Sequence, residues 1–335
     1  MTESNPLLRY SEAKNKALPF PEIENHHFLP AAKEAIVEAR ANIEKLKASE
    51  PSFENTIVAL ETASERLDMV TSTFYSLLGA HSNEEMQKIA QDLGPMISAY
   101  SSDVALDPKV FENVEAVWKD RANLQLTTEE VRLLEESYES FVRNGAKLPE
   151  EKRQKLREID QQLSTLGPKF GENVLKATNS FEMLLSSEDD LVGLPDSAKE
   201  AAAAAAEAKG KASRWLVTLQ APSMVPFLQY SEKRELREKL WRAYSSRAFA
   251  DENSNEETIK SIVQLRYERA NLLGYKTHAD YVLHKRMAGS PEKVRGFLDK
   301  LLKASKPAAQ KDLAEVQEFA TANGGPEKLQ PWDFA

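Results

Sequence analysis

The feature that most limits the fold of this chain is a helical period of apolar residues, carried through most of its 335 positions. Leu156, Ile159, Leu163 and Leu166 recur every three or four residues, which places them on one face of an α-helix. Glycine, which disfavours helix interiors, is scarce at 12 residues. The pattern predicts a mainly α fold in which long helices form antiparallel hairpins.

Local start signals divide this pattern into segments. Thr127 and Glu130 have the spacing of a capping box, and Ser290 followed by Pro291 is typical of a helix start. On signals of this kind, helices are predicted to begin near Pro30, Ser52, Asn83, Pro108, Thr127, Pro149, Pro195, Ser231, Asn255 and Ser290.

One stretch departs from the helical pattern. The short apolar runs Phe181–Leu185 and Arg214–Leu219 lie on either side of a predicted helix that contains Ala201–Ala206. Two short strands around one helix predict a small β insertion near residues 181–219. We therefore expect helical hairpins over residues 30–178, a small α/β element over 179–220 and a helical segment over 231–322. Since no linker separates domains, residues 1–335 are expected to form one mostly helical portion of a protein.

Composition and charge argue against several classes of partner. The chain has 44 Lys and Arg residues against 53 Asp and Glu residues, which gives a net charge of −9. This acidic balance argues against binding to nucleic acid or anionic lipid, because both need a basic surface. A membrane-spanning helix needs about 18 consecutive apolar residues, and no apolar run in the sequence is that long. The first 30 residues also lack the apolar segment of a secretory signal. We expect neither nucleic acid nor membrane as a partner. A cytoplasmic location is the default, with the periplasm left open.

The residues that could carry chemistry form no recognisable constellation. A zincin helix needs two histidines four positions apart, and none of the five has that spacing: His26, His27, His81, His278 and His284. The first two are adjacent, so their rings are predicted to diverge. There is no cysteine, no Gly-rich phosphate loop and no G-x-S-x-G elbow. Sequence reasoning therefore assigns no residue a catalytic, cofactor-binding or metal-binding role.

Two basic runs, residues 151–158 and 231–242, also contain acidic residues at helical spacing. They are predicted to be solvent-facing helix surfaces. Near the end of the chain, Pro331 and Asp333 are typical of a helix entry, and the aromatics Trp332 and Phe334 flank Asp333. Two interpretations stay open: the chain is cut at the start of an element, or this segment docks back onto the body.

Several stretches resemble one family of enzymes. They are NHHFLP at 25–30, FENTIVALE at 53–61, TFY at 73–75, AHSNEE at 80–85, GAKL at 145–148, LREKLWRAY at 236–244, LLGY at 272–275, ADY at 279–281 and QPWD at 330–333. In order and content they are similar to the N-terminal half of the M3 zinc metallopeptidases, of the peptidyl-dipeptidase and oligopeptidase A types.

This resemblance implies a helical clam around a deep channel, whose H-E-x-x-H motif and zinc ligands lie beyond the QPWD segment. It implies a parent enzyme that uses zinc, hydrolyses short unfolded peptides and, as a peptidyl-dipeptidase, removes C-terminal dipeptides. The present chain would form a channel wall, hold no zinc and be inactive alone. Its expected partners are short peptides and the C-terminal half, and the isolated chain is expected to self-associate. The alternative is a non-catalytic helical scaffold that binds peptides or proteins.

Overall fold

A computed structural model describes residues 5–9 and 17–334 of the chain. These residues are mainly helical, which confirms the predicted fold class. The helices are α1 (Asn25–Ala48), α2 (Ala59–Thr62), α3 (Glu65–Ala80), α4 (Glu84–Ala105), α5 (Pro108–Asp120), α6 (Thr128–Arg143), α7 (Glu150–Ser180), α8 (Asp196–Ala208), α9 (Ala221–Tyr230), α10 (Arg234–Ser245), α11 (Glu256–Leu272), α12 (His278–Leu283) and α13 (Pro291–Ala322). The strands are β1 (Met183–Leu185) and β2 (Trp215–Val217).

Side-chain caps set several helix starts where the sequence predicts them. The Thr127 N–H donates to Glu130 Oε2 at 2.7 Å, and the Glu130 N–H donates to Thr127 Oγ1 at 3.3 Å, which completes the capping box of α6. Asp107 Oδ1 accepts from the N–H of Lys109 at 2.7 Å at the start of α5. Such caps satisfy backbone donors that have no partner within the helix, so they are encoded locally.

The start of α1 differs from the prediction. The helix begins at Asn25, and Pro30 lies inside it. The Glu24 N–H donates to His27 Nδ1 at 3.0 Å, and the extra turn buries Phe28. Because the ring of His27 turns back to accept this bond, it lies with its centroid 4.0 Å from that of His26. The predicted divergence of the two rings is wrong.

The helix predicted to start near Ser52 is not continuous. Phe53–Val58 form a π-helical turn that leads into α2, and the chain breaks at Ala63–Ser64 before α3. The wide turn buries Phe53 and Ile57 together in one core. Helices α9 and α12 were not predicted; α9 contains Pro222 and Pro226, which mask a helical pattern in the sequence.

The contacts divide the chain into two compact units. The first comprises the residues up to Lys169 together with Ile262–His278. In it α1 packs on α3 and α4, and the rings of Phe28 and Phe74 meet edge to face with centroids 5.2 Å apart. A second cluster in this unit joins the end of α1 to the π-helical turn, α5 and α6.

The second unit comprises Phe170–Ser261 and Ala279–Ala335. Its two strands pair antiparallel, with Met183 opposite Val217. Helix α8 packs against β2 and α9, and the core below the sheet includes Phe227 and Leu240. The β insertion near residues 181–219 is thus present, whereas the three-segment domain boundaries stay a prediction.

No helix in the described part of the chain combines the length and the apolar character that a membrane span requires.

Gly193 offers a test of the second unit. Its φ of +89° lies in the left-handed region, and a Cβ added there would lie 2.2 Å from the carbonyl oxygen of Tyr230. We expect Gly193→Ala to lower the free energy of unfolding by about 2–3 kcal/mol, because backbone strain and a steric clash add. Urea denaturation measures this change.

The matched control is Gly79→Ala. Gly79 is exposed within α3, and an added Cβ would meet nothing within 4 Å. This variant should raise the free energy of unfolding by about 0.5–1 kcal/mol, since alanine is the better helix former. Equal effects of the two substitutions would contradict the geometry described for Gly193.

Candidate functional site

The densest polar cluster in the second unit joins α10 to residues 330–334. We call the cluster of Arg234, Arg237, Trp332 and Asp333 the arginine clasp. Arg234 donates from Nε to Asp333 Oδ1 at 3.0 Å and from Nη2 to Asp333 Oδ2 at 2.9 Å. Arg237 Nη2 donates to Asp333 Oδ1 at 2.9 Å. The Asp333 side chain is only 5% exposed, so the cluster is a nearly buried ionic network.

The local fold explains why these groups meet. Arg234 and Arg237 are three residues apart on α10 and therefore share one face of it. Pro331–Asp333 form a 3₁₀ turn in which the Gln330 N–H donates to Asp333 Oδ2 at 2.9 Å. Arg237 also donates from Nε to the carbonyl oxygen of Trp332 at 3.1 Å. The clasp thus holds both the backbone and the side chains of the turn.

Trp332 is the apolar part of the clasp. Its side chain is buried, and its ring centroid lies 5.7 Å from that of Trp241. The guanidinium carbons of Arg234 and Arg242 lie 5.6 and 4.9 Å from the Trp332 ring, within the range of cation–π attraction. Among residues 5–9 and 17–334, Trp332 Nε1 has no hydrogen-bond partner.

The electrostatics define what the clasp can do. Burial alone would raise the pKa of Asp333, but hydrogen bonds from Arg234, the Gln330 N–H and Arg237 outweigh burial and hold that pKa below its usual value. Each carboxylate oxygen already accepts at least two hydrogen bonds. Because no lone pair is left for a proton or a metal ion, Asp333 is a positioning group and not a general base.

A second contact fixes the connection that leads into the clasp. Gln317 Oε1, on α13, accepts from the Leu329 N–H at 2.8 Å, and Gln317 Nε2 donates to the carbonyl oxygen of Pro326 at 3.0 Å. The chain from residue 317 to residue 334 is therefore tied first to α13 and then to α10.

The basic run at 231–242 was predicted to face solvent, and the structure corrects this for two residues. The Arg237 side chain is 16% exposed and Arg234 is 37% exposed, since both bind a carboxylate nearly a hundred residues away. In the run at 151–158, Arg153 and Arg157 pair with Glu150 on their own helix. No local spacing could have predicted the clasp.

The structure also bears on the residues near the end of the chain. Trp332 docks on the body, as one of the two interpretations predicted, whereas Phe334 is 50% exposed.

No catalytic, cofactor or metal ligand was predicted. In the described residues, no group of three or more His, Asp or Glu side chains could hold a metal ion.

Comparisons with known proteins show what this chain is similar to. Residues 227–335, which contain the whole clasp, match the model of Peptidase family M3. The chain is similar to dipeptidyl carboxypeptidase of Escherichia coli K12, at 33% identity over 100% of this chain and 50% of that protein. It is also similar to oligopeptidase A of Haemophilus influenzae, at 34% identity over 100% of this chain and 49% of that protein. A probable cytosolic oligopeptidase A of Arabidopsis thaliana is 32% identical over 99% of this chain and 48% of that protein. The chain spans about half the length of the curated relatives it matches.

The clasp predicts the effect of Asp333→Asn. Loss of the charge leaves the guanidinium groups of Arg234 and Arg237 without their shared counterion, so the 330–334 segment should detach from α10 more often. We expect amide hydrogen exchange across residues 330–334 to become at least about tenfold faster. The control is Glu256→Gln, which removes the exposed pair of Glu256 with Lys260 on α11. Equal exchange in both variants would show that Asp333 does not hold the segment.

Acid should release the same segment. The pKa of Asp333 is lower when the 330–334 segment is docked than when the segment is free. The stability that ionised Asp333 gives to the docked segment is therefore complete above the free pKa of about 4, and it is lost as the pH falls through the docked pKa. The indole resonance of Trp332, assigned with Trp332→Phe, should keep its docked position from neutral pH to about 4 and leave it below. In Asp333→Asn this transition should be absent. A wild-type transition near neutral pH would contradict the assignment.

Proposed function

Because this chain belongs to peptidase family M3, we propose that it is the N-terminal half of a peptidase that acts on short peptides. The observation that carries the proposal is end-to-end similarity to peptidases of twice the length. The name of one relative, dipeptidyl carboxypeptidase, supports the removal of C-terminal dipeptides, and the name oligopeptidase A supports action on short substrates.

In this proposal the chemistry lies outside the present chain. The five histidines lack the H-E-x-x-H spacing, and the described residues include no group that fits a zinc ion. In such enzymes, the chemistry that a bound zinc ion would supply is the activation of a water molecule. Since the residues described here do not fit the metal, we derive no catalytic step on this chain and propose that it is inactive alone.

The role proposed for this half is to shape the path of the substrate. Its two units are built of helices with buried apolar stripes, which suits a rigid wall. A rigid channel wall would admit short unfolded peptides and exclude folded proteins. The clasp supports this role because it fixes the path of the chain over residues 330–334.

We further propose a cytoplasmic location for the protein. The support is the relative from Arabidopsis thaliana that is named as a probable cytosolic enzyme. Fractionation of the native cells, followed by an immunoblot against this chain, tests the proposal.

The test of function compares the 335-residue chain with the native gene product. We expect an immunoblot to show a native product of about twice 37.6 kDa. This product should bind one zinc ion, and it should release dipeptides from a short peptide until a chelator is added. The isolated chain should show no chelator-sensitive hydrolysis. A native product of 37.6 kDa without zinc would favour the helical binding scaffold instead. Chelator-sensitive hydrolysis by the isolated chain would contradict its proposed inactivity.

A further inference from the structure

Helix α13 carries an apolar stripe that nothing in its own unit covers. None of its 32 residues is buried. Seven large apolar side chains are between 47% and 71% exposed: Phe297, Leu298, Leu301, Leu302, Leu313, Val316 and Phe319. Their spacing of three, four and eleven residues places them on one face of the helix.

The exposure of this stripe contrasts with that of the stripe on helix α1. Helix α1 has the same kind of pattern, but there Phe28, Ile36 and Ile43 are all buried. Large apolar side chains concentrated on one face of a helix, here in the two groups 297–302 and 313–319, mark an interaction site.

The chain's own tail does not cover the stripe. Gln317 ties residues 326–329 back to α13, and the arginine clasp ties residues 330–334 to α10. Yet Leu313, Val316 and Phe319, beside Gln317, remain about half exposed or more.

The charges beside the stripe indicate the chemistry of its partner. From residue 293 to residue 311 the helix has one acidic residue, Asp299. The same stretch has six basic residues: Lys293, Arg295, Lys300, Lys303, Lys306 and Lys311. A surface that fits this part of α13 would be apolar along its centre and acidic at its flanks.

We propose that the apolar stripe of α13 is the surface against which the remaining half of the longer M3 protein packs, through an apolar face with acidic flanks. This rests on the proposed function, in which as many residues again belong to the same protein. Packing of that half would bury the stripe in the same way that α3 and α4 bury the stripe of α1.

A second copy of the chain is the competing occupant. Packed antiparallel, two copies of α13 would set the basic stretch of one against Asp312, Glu315 and Glu318 of the other. We expect the isolated chain to self-associate through the bare stripe, but the longer protein to be monomeric. Trp332 is buried, so it does not contribute to this association.

The first experiment measures hydrogen exchange in α13 without any substitution. Amides across residues 297–319 should exchange at least about tenfold more slowly in the full-length gene product than in the isolated chain at a concentration where the chain is monomeric. Equal exchange in the two proteins would overturn the inference, while chelator-sensitive hydrolysis by the full-length product would leave the proposed function standing.

The second experiment compares Leu301→Glu with Lys303→Glu. Both place a glutamate in the middle of α13, but only Leu301 lies on the stripe. In the full-length product, Leu301→Glu should lower the thermal midpoint by at least about 5 °C and Lys303→Glu by much less. In the isolated chain, Leu301→Glu should leave the midpoint of the monomer unchanged and abolish self-association in sedimentation.

Other outcomes would overturn the inference. A full-length product that dimerises and becomes monomeric on Leu301→Glu would identify the second copy as the occupant. Equal midpoints for both variants in the full-length product would show that the stripe stays bare. Absence of any longer gene product would remove the proposed function and this inference together.

Discussion

An amphipathic helix gains most of its stability when its apolar stripe is covered, and this requirement accounts for the architecture of the chain. Helix α1 buries its stripe along its whole length, first against α3 and α4 and then against the π-helical turn and α5. The small sheet meets the same requirement in the second unit, where α8, α9 and α10 surround it. Helix α13 has an equally marked stripe and leaves it exposed. The contrast between α1 and α13 is the basis for proposing that α13 has a partner.

The arginine clasp meets a different requirement, that of a charge removed from water. The Asp333 carboxylate is nearly buried, and five hydrogen bonds from two arginines and one backbone N–H compensate for its lost hydration. Such a network disfavours other arrangements, because removal of the arginines would leave the nearly buried carboxylate without its counterions. Its effect is to set the direction of the chain over residues 330–334. A positioning role of this kind agrees with a half of an enzyme that contributes shape.

In the proposed function, the two halves of the longer protein have different tasks. The present chain supplies helices with buried apolar stripes, a fixed chain path through the clasp and the uncovered stripe of α13. Chemistry is proposed to lie in the half that its relatives have in addition. Under this proposal, loss of the clasp or of the stripe would act on activity by displacing the other half of the protein.

The sequence by itself determined those features that depend on neighbours a few residues apart. The capping box of Thr127 and Glu130, the helical periods, the two short strands and the family resemblance were all legible in it, because local hydrogen bonds and side-chain periodicity leave a local record. Only the tertiary structure decided that α1 begins at Asn25, that the ring centroids of His26 and His27 lie 4.0 Å apart, and that Arg234 and Arg237 bind Asp333. The first feature comes with the burial of Phe28, the second with the hydrogen bond from the Glu24 N–H to His27 Nδ1, and the third with a partner nearly a hundred residues away. Burial and distant pairing have no signature in a short stretch of sequence.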